Sequence, residues 1–271
     1  MPQSLIALAR SGGRLPALDV ASVHYPAEGA AALASIEASH FWFTSRRAAV
    51  WRLLRRALGP SDPAGRIVGL DIGCGSGYTA AWLTDRGAPT LGVDAMPAPS
   101  WPALADRTLG LLPGDITAID PAQEFDFVLL LDVLEHIDDD AAFLAHALGF
   151  LKPMGVAIVT MPAFAWLWSP IDAYSGHRRR YTRAMVRSLV DRIGPGARLE
   201  LASYFYATTF LPFAVSRLRR REVRRAIHDE SSPPAWINAT LAALLRAEAR
   251  IVSFGVVPFG SSVVGVVRKY S

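Results

Sequence analysis

Four aspartates in this chain each close a short apolar run, and the first opens a glycine-rich turn. That turn reads Asp71-Ile72-Gly73-Cys74-Gly75-Ser76-Gly77. Its glycines permit a tight bend and let a ligand approach the backbone closely. The spacing is not the G-x-G-x-x-G of a nicotinamide-cofactor turn. The third glycine comes one place early, and Tyr78 takes the required position. A carboxylate just ahead of such a turn would repel a pyrophosphate, so Asp71 suits a ligand that brings a cation. Asp94 ends Gly92-Val93-Asp94, where a carboxylate can accept both hydroxyls of a ribose. Asp115, in Gly114-Asp115-Ile116, is placed to take an adenine amino group. Asp132 opens Asp132-Val133-Leu134-Glu135-His136. A lone aspartate after a strand can equally cap a helix. Four in series point to one shared ligand, because open α/β sheets bind ligands at the carboxyl ends of their strands.

The elements that must position these acids follow from periodicity and punctuation. Residues 1–26 read as a Gly/Pro-punctuated arm, 27–39 as a helix, and 44–58 as a second helix stopped by Gly59-Pro60. Strands are expected at 66–72, 89–93, 109–112, 125–131, 156–161, 198–204 and 262–267. Helices fall between them, to about residue 86, at 141–151 and at 181–193. Lys152-Pro153-Met154-Gly155 reads as a break. Phe125 to Leu131 is apolar enough for a strand buried on both faces. Repeated strand–helix–strand units build a mostly parallel sheet with helices on both faces. Three segments result: an arm with cap helices (1–60), a sheet domain (61–206 with 255–271), and a helical, Arg-rich insert (207–254).

At 271 residues the chain suits one large α/β domain, or one with an insert. It is 51% hydrophobic, which excludes a disordered chain. One cysteine, Cys74, excludes a disulfide scaffold and a thiolate metal cluster, so a reducing cytoplasm is expected. No apolar run is long enough to span a bilayer, and Leu5 to Ala9 is too short for a secretory signal. Charge is divided. Residues 1–171 hold 11 basic and 17 acidic side chains, whereas residues 172–271 hold 17 basic and 7 acidic. Only two of the basic residues are lysines, a bias read most simply as that of a GC-rich genome.

The series DIGCGSG, GVD, GDI, LDVLEHI and LKPMG resembles the class I S-adenosylmethionine-dependent methyltransferases over about residues 40–200 and 255–271. It is similar, more narrowly, to a branch with HFWF and a following Arg-Arg pair (Arg46, Arg47). That branch also has a segment like LWSPIDAYSGHRRRYT (167–182) and one like Pro258-Phe259-Gly260-Ser261-Ser262. Two departures stand out: Ile171 where the branch has histidine, and Met154 where the family has glycine. The resemblance implies a Rossmann-like seven-stranded sheet of order 3-2-1-4-5-7-6 with its last strand antiparallel. It also implies S-adenosyl-L-methionine as cofactor. The cofactor would meet Asp71, Gly73, Cys74, Gly75, Gly77, Asp94, Ala95, Asp115, Ile116, Asp132 and Val133, with Trp42 and Arg46 as a lid. The alternative for Trp42 and its neighbours is that they dock the first helices on the core.

A sulfonium methyl needs an in-line nucleophile and little else, so positioning supplies most of the acceleration. A general base is needed only for a hydroxyl or ammonium acceptor. His136 and His177 are the candidates, against a purely packing or loop-holding role. Trp166, Trp168, Tyr174, Arg178 and Tyr181 are expected to line the acceptor site, for a small-molecule or lipid-linked substrate methylated at oxygen. Asp138 to Asp140 read as a helix cap, and no metal site is expected. The uncharged, aromatic stretch 201–216 precedes Arg217, Arg219, Arg220, Arg221, Arg224 and Arg225. Together they suit peripheral contact with the inner membrane surface, against a plain solvated helix face. No nucleic-acid partner is expected, since DVLEH is not the N/D-P-P-Y/F of base methylases. A non-catalytic binder of the cofactor is the remaining alternative.

Overall fold

Phe125–Leu131 is apolar everywhere but Asp126, and it forms a central strand buried at every other position. The computed structural model describes residues 4–17, 34–59, 67–219, 233–255 and 257–270. Its strands are β1 (Gly69–Ile72), β2 (Thr90–Asp94), β3 (Gly110–Pro113), β4 (Phe125–Leu131), β5 (Leu151–Pro162), β6 (Ala197–Phe205) and β7 (Ser262–Lys269). They form one sheet of order β3-β2-β1-β4-β5-β7-β6. The first five pair in parallel, and β7 lies antiparallel between β5 and β6. That is the order expected.

The helices are α1 (Leu5–Arg10), α2 (Phe41–Leu58), α3 (Tyr78–Thr84), α4 (Trp101–Leu104), α5 (Asp140–Gly149), α6 (Pro170–Tyr174), α7 (Arg183–Ile193), α8 (Phe210–Arg219) and α9 (Ala235–Val252). α2 packs against α3 and α9, and α5 against α7, on opposite faces of the sheet. Among the described residues no helix is long and apolar enough to cross a membrane.

Three expectations change. Residues 4–17 are docked rather than a loose arm: Ser4 caps α1, Glu124 accepts from the Leu5 amide at 2.9 Å, and Leu5 is fully buried. β5 begins at Leu151, not Val156, and takes in the segment read as a break. Its register with β4 jumps between Phe125–Leu151 and Phe127–Val156, so residues 152–155 bulge. The bulge lets Lys152 reach the Asp126 carboxylate at 2.9 Å, and holds Met154 at φ 64°. Finally, the insert is tied to the cap helix. Asn238 of α9 accepts from the Phe41 amide at 2.7 Å and donates to the Ser39 carbonyl at 3.0 Å. Of the helix read over 27–39, residues 34–37 are helical and 38–39 form a turn; residues 27–33, and the Arg-rich stretch 220–227, lie outside the described residues.

Candidate active site

The glycine turn joins β1 to α3. Gly73 has φ 73°, and a Cβ there would come 2.5 Å from a Val133 methyl, so only glycine lets the β1 and β4 ends meet. Gly77, also at positive φ, begins α3. Asp94, at the end of β2, ties the turn down. Its carboxylate accepts from the Gly75 amide at 2.8 Å and the Met96 amide at 3.0 Å. Burial raises its carboxyl, opposed by those amides. Asp115 caps the turn after β3, accepting from the Thr117 amide and hydroxyl at 2.8 and 2.7 Å. Asp132 sits at φ 59°, a conformation rare outside glycine and common where function holds it. It accepts from Arg46 at 2.6 Å and from Thr160 at 3.1 Å.

Gly73, Cys74, Gly75, Asp94, Ala95, Asp115, Ile116, Asp132, Val133, Trp42 and Arg46 all line one cleft of about 1410 Å³. A pocket for one drug-sized ligand is about 300–1,000 Å³, so there is room for two. Asp71 and Gly77 stand behind its wall. Asp71 is buried beneath the turn, with one carboxylate oxygen lacking a partner. Burial pushes its carboxyl up to about 8 although Arg46 opposes this. It stands outside the lining of the cleft, where burial favours its neutral form. Burial also raises the Cys74 thiol, which keeps it neutral.

Trp42 stacks on Tyr206 with ring centroids 3.7 Å apart, and the Tyr206 hydroxyl donates to the Trp42 carbonyl at 2.8 Å. His136, His177 and Arg178 also line the cleft, with Phe213 and Arg217 from α8. The two imidazole rings meet edge to face at 4.9 Å. His177 Nδ1 lies 2.8 Å from Asp172 Oδ1. Asp172 is fully buried, and Arg180 donates to both its oxygens at 2.9 and 3.0 Å. Burial alone would raise the Asp172 carboxyl, but the His177 hydrogen bond and the Arg180 and Arg217 charges hold it at about 2. Glu135 is fully buried too, with neither oxygen hydrogen-bonded. Burial, with Asp132 nearby, pushes its carboxyl well above the usual range.

The expected acceptor aromatics do not line this cleft. Trp166 and Trp168 stand outside its wall, about half exposed, because the turn after β5 carries them past it. Tyr174 ends α6 away from it. Tyr181 is buried by its own hydrogen bonds, donating to Asp140 at 2.9 Å and to the Leu134 carbonyl at 3.2 Å. Phe213 and Pro212 of α8, with Ile171, take their place. Sequence reasoning also missed Glu37, which accepts from Ser76 of the turn, and the Asp172–Arg180 pair. Glu135 carries its own signal, a lone charge between two apolar residues and a histidine.

A sheet of this order, with a glycine turn after β1 and acids from the ends of β2, β3 and β4 lining one cleft, is that of the class I S-adenosylmethionine-dependent methyltransferases. The chain matches the Methyltransferase domain family over residues 42–207 and belongs to it. It is similar to a ubiquinone biosynthesis O-methyltransferase of Rhodopseudomonas palustris (strain HaA2), at 36% identity over 95 residues. That match spans 33% of this chain and 38% of the relative. Its fold is like that of the Burkholderia thailandensis 1,6-didemethyltoxoflavin-N1-methyltransferase, at TM-score 0.52 and 18% identity, covering 84% of this chain and 79% of that one. It is also like a Haloferax volcanii protein described as a putative methyltransferase in complex with its Trm112 activator. There the TM-score is 0.53 at 16% identity, over 82% of this chain and 90% of that one.

Proposed function

We propose that this methyltransferase transfers its methyl group to a hydroxyl of a small-molecule or lipid-linked acceptor by in-line displacement. The observation that carries the reading is the Asp172–His177 pair, 2.8 Å apart, with His177 lining the same cleft as the glycine turn. An amine free base needs no proton removed before attack, whereas a hydroxyl does, and an oriented imidazole is suited to take it. The cofactor would lie with its ribose on Asp94, its adenine against Asp115 and Ile116, and its methionine end under Trp42, Arg46 and Asp132. Gly73, Cys74, Gly75, Ala95 and Val133 would form the walls, and Asp71 and Gly77 would hold the turn from behind. Arg178 would meet the acceptor. The partial likeness to O-methyltransferases favours oxygen over nitrogen. Incubation with methyl-labelled cofactor and a panel of phenols, aliphatic alcohols and amines tests it. Label should appear in methyl ethers; label confined to amines would overturn the reading.

A second reading, contact with a membrane surface, has its own observation. Trp166, Leu211 and Phe259 are exposed at 54%, 73% and 47%, and Trp166 and Phe259 both pack against Phe210. Apolar side chains grouped beside an Arg-rich stretch suit an anionic bilayer. The protein should float with phosphatidylglycerol vesicles and be released by salt. Equal recovery with neutral vesicles, or none with either, removes this reading.

A further inference from the structure

Glu135 has no exposed surface, and neither of its carboxylate oxygens has a hydrogen-bond donor. It lies beside His136 and His177, with one ligand atom from each of the three within 4.8 Å of the others. All three residues line the cleft. We infer that Glu135, His136 and His177 bind a divalent transition-metal ion whose remaining position opens toward the acceptor.

A buried carboxylate without donors is stable as a neutral acid or beside a cation. Arg46 and Arg180 lower the Glu135 carboxyl through their charge, but neither donates to it, and Arg46 is paired with Asp132. Arg180 is engaged by Asp172 and by the Ala163 carbonyl at 2.9 Å. Arg178 donates to the His136 carbonyl at 2.8 Å and pairs with Asp138. Ligand atoms of two imidazoles within 4.8 Å of that carboxylate favour a metal ion. Asp172 holds His177 through Nδ1, which leaves Nε2 as the ligand atom. Carboxylates behind metal-bound histidines orient the ring in this way and raise its basicity. Two nitrogens and one oxygen with an open position suit zinc and its neighbours. Magnesium and calcium would call for more oxygens. Ligand atoms about a zinc ion, with bonds of about 2.0–2.1 Å, stand about 3.3 Å apart, so the three side chains close in as the ion enters.

The use of this ion rests on the O-methylation reading. With the ion bound, His177 Nε2 is a ligand and the metal replaces it as the activator: the acceptor hydroxyl takes the open position and gives its proton to solvent, as metal-bound water does near neutral pH. The metal-bound oxygen then attacks the methyl carbon. The new carbon–oxygen bond forms as the carbon–sulfur bond breaks, its electron pair stays on sulfur, and the methyl ether leaves the metal.

The test uses the whole chain, stripped with a chelator and titrated with Zn²⁺ alone in a calorimeter, then with Co²⁺ to give a visible ligand-field band. One ion per chain is expected. Glu135→Gln and His177→Ala should each weaken binding at least tenfold, and Asp172→Asn by about 10–100-fold. Glu135→Gln keeps the shape and puts a neutral group where burial already disfavours the charged one, so the metal-free variant should melt no lower than the native protein. Absence of stoichiometric binding by the native chain overturns the inference, as does unchanged affinity in Glu135→Gln. S-adenosylhomocysteine binding by the metal-free protein separates the failures. If it is retained while zinc is not bound, the metal site alone falls and His177 stands as the proton acceptor. If it is lost as well, the cofactor reading fails.

Discussion

His177→Ala is expected to lower kcat for a hydroxyl acceptor by about 10²–10⁴-fold while leaving affinity for S-adenosylhomocysteine within a fewfold of native. That range is the usual contribution of a positioned acid or base, about 2.7–5.5 kcal/mol of barrier. The side chain is held by Asp172 and the His136 ring, and makes no hydrogen bond to the turn or to Asp94, so its loss should spare the cofactor. The fold should tolerate the change. Asp172 keeps its Arg180 fork and the Ser169 amide at 2.8 Å, so no buried charge is abandoned. Steady-state kinetics with equilibrium binding check the split. A variant that turns over as fast as native protein would show that positioning of the acceptor alone drives the reaction, and would end the role assigned to this imidazole.

The parts of the site that were legible beforehand are those whose chemistry is carried by the backbone turn and the strand ends. An apolar run followed by glycine or aspartate marks both the strand and the ligand edge. Hence Gly73, Asp94, Asp115 and Asp132 converge on one cleft as read. What was not legible depends on where side chains point after a strand ends. Trp166 and Trp168 follow β5, but the short turn at 165–167 carries them outward, and α8 brings Phe213 into the space they were expected to fill. Tyr181 looked like a pocket residue from its place in GHRRRYT. It is instead the buried strut between Asp140 and the Leu134 carbonyl. Glu37 matters through Ser76, far along the chain, and Asp172 and Arg180 pair across a short loop; no regular spacing announces either pair. The β5 bulge was hidden for a different reason. Pro153 and Gly155 are ordinary loop signals, and only the register with β4 shows that the strand resumes on either side of them.

Asp94→Ala is expected to weaken S-adenosylhomocysteine binding by about 10²–10⁴-fold. A carboxylate that accepts both ribose hydroxyls makes two charge-assisted hydrogen bonds, each about 1.5–3 kcal/mol. Their joint loss is about 3–6 kcal/mol, and every 1.4 kcal/mol is tenfold in Kd. The same oxygens hold the Gly75 and Met96 amides, so the turn loosens as the ribose contact goes, and the two losses reinforce each other. Asp94→Asn keeps one acceptor oxygen and should fall between the alanine variant and native protein. Asp115→Ala makes the informative contrast. The Asp115 carboxylate would meet a single adenine amino group rather than two ribose hydroxyls, so its removal should cost the ligand less than removal of Asp94. Calorimetric titration of the three variants, at a temperature where each remains folded, ranks them. An Asp94→Ala protein that binds within threefold of native, or that ranks above Asp115→Ala, would mean that the ribose lies somewhere other than the end of β2.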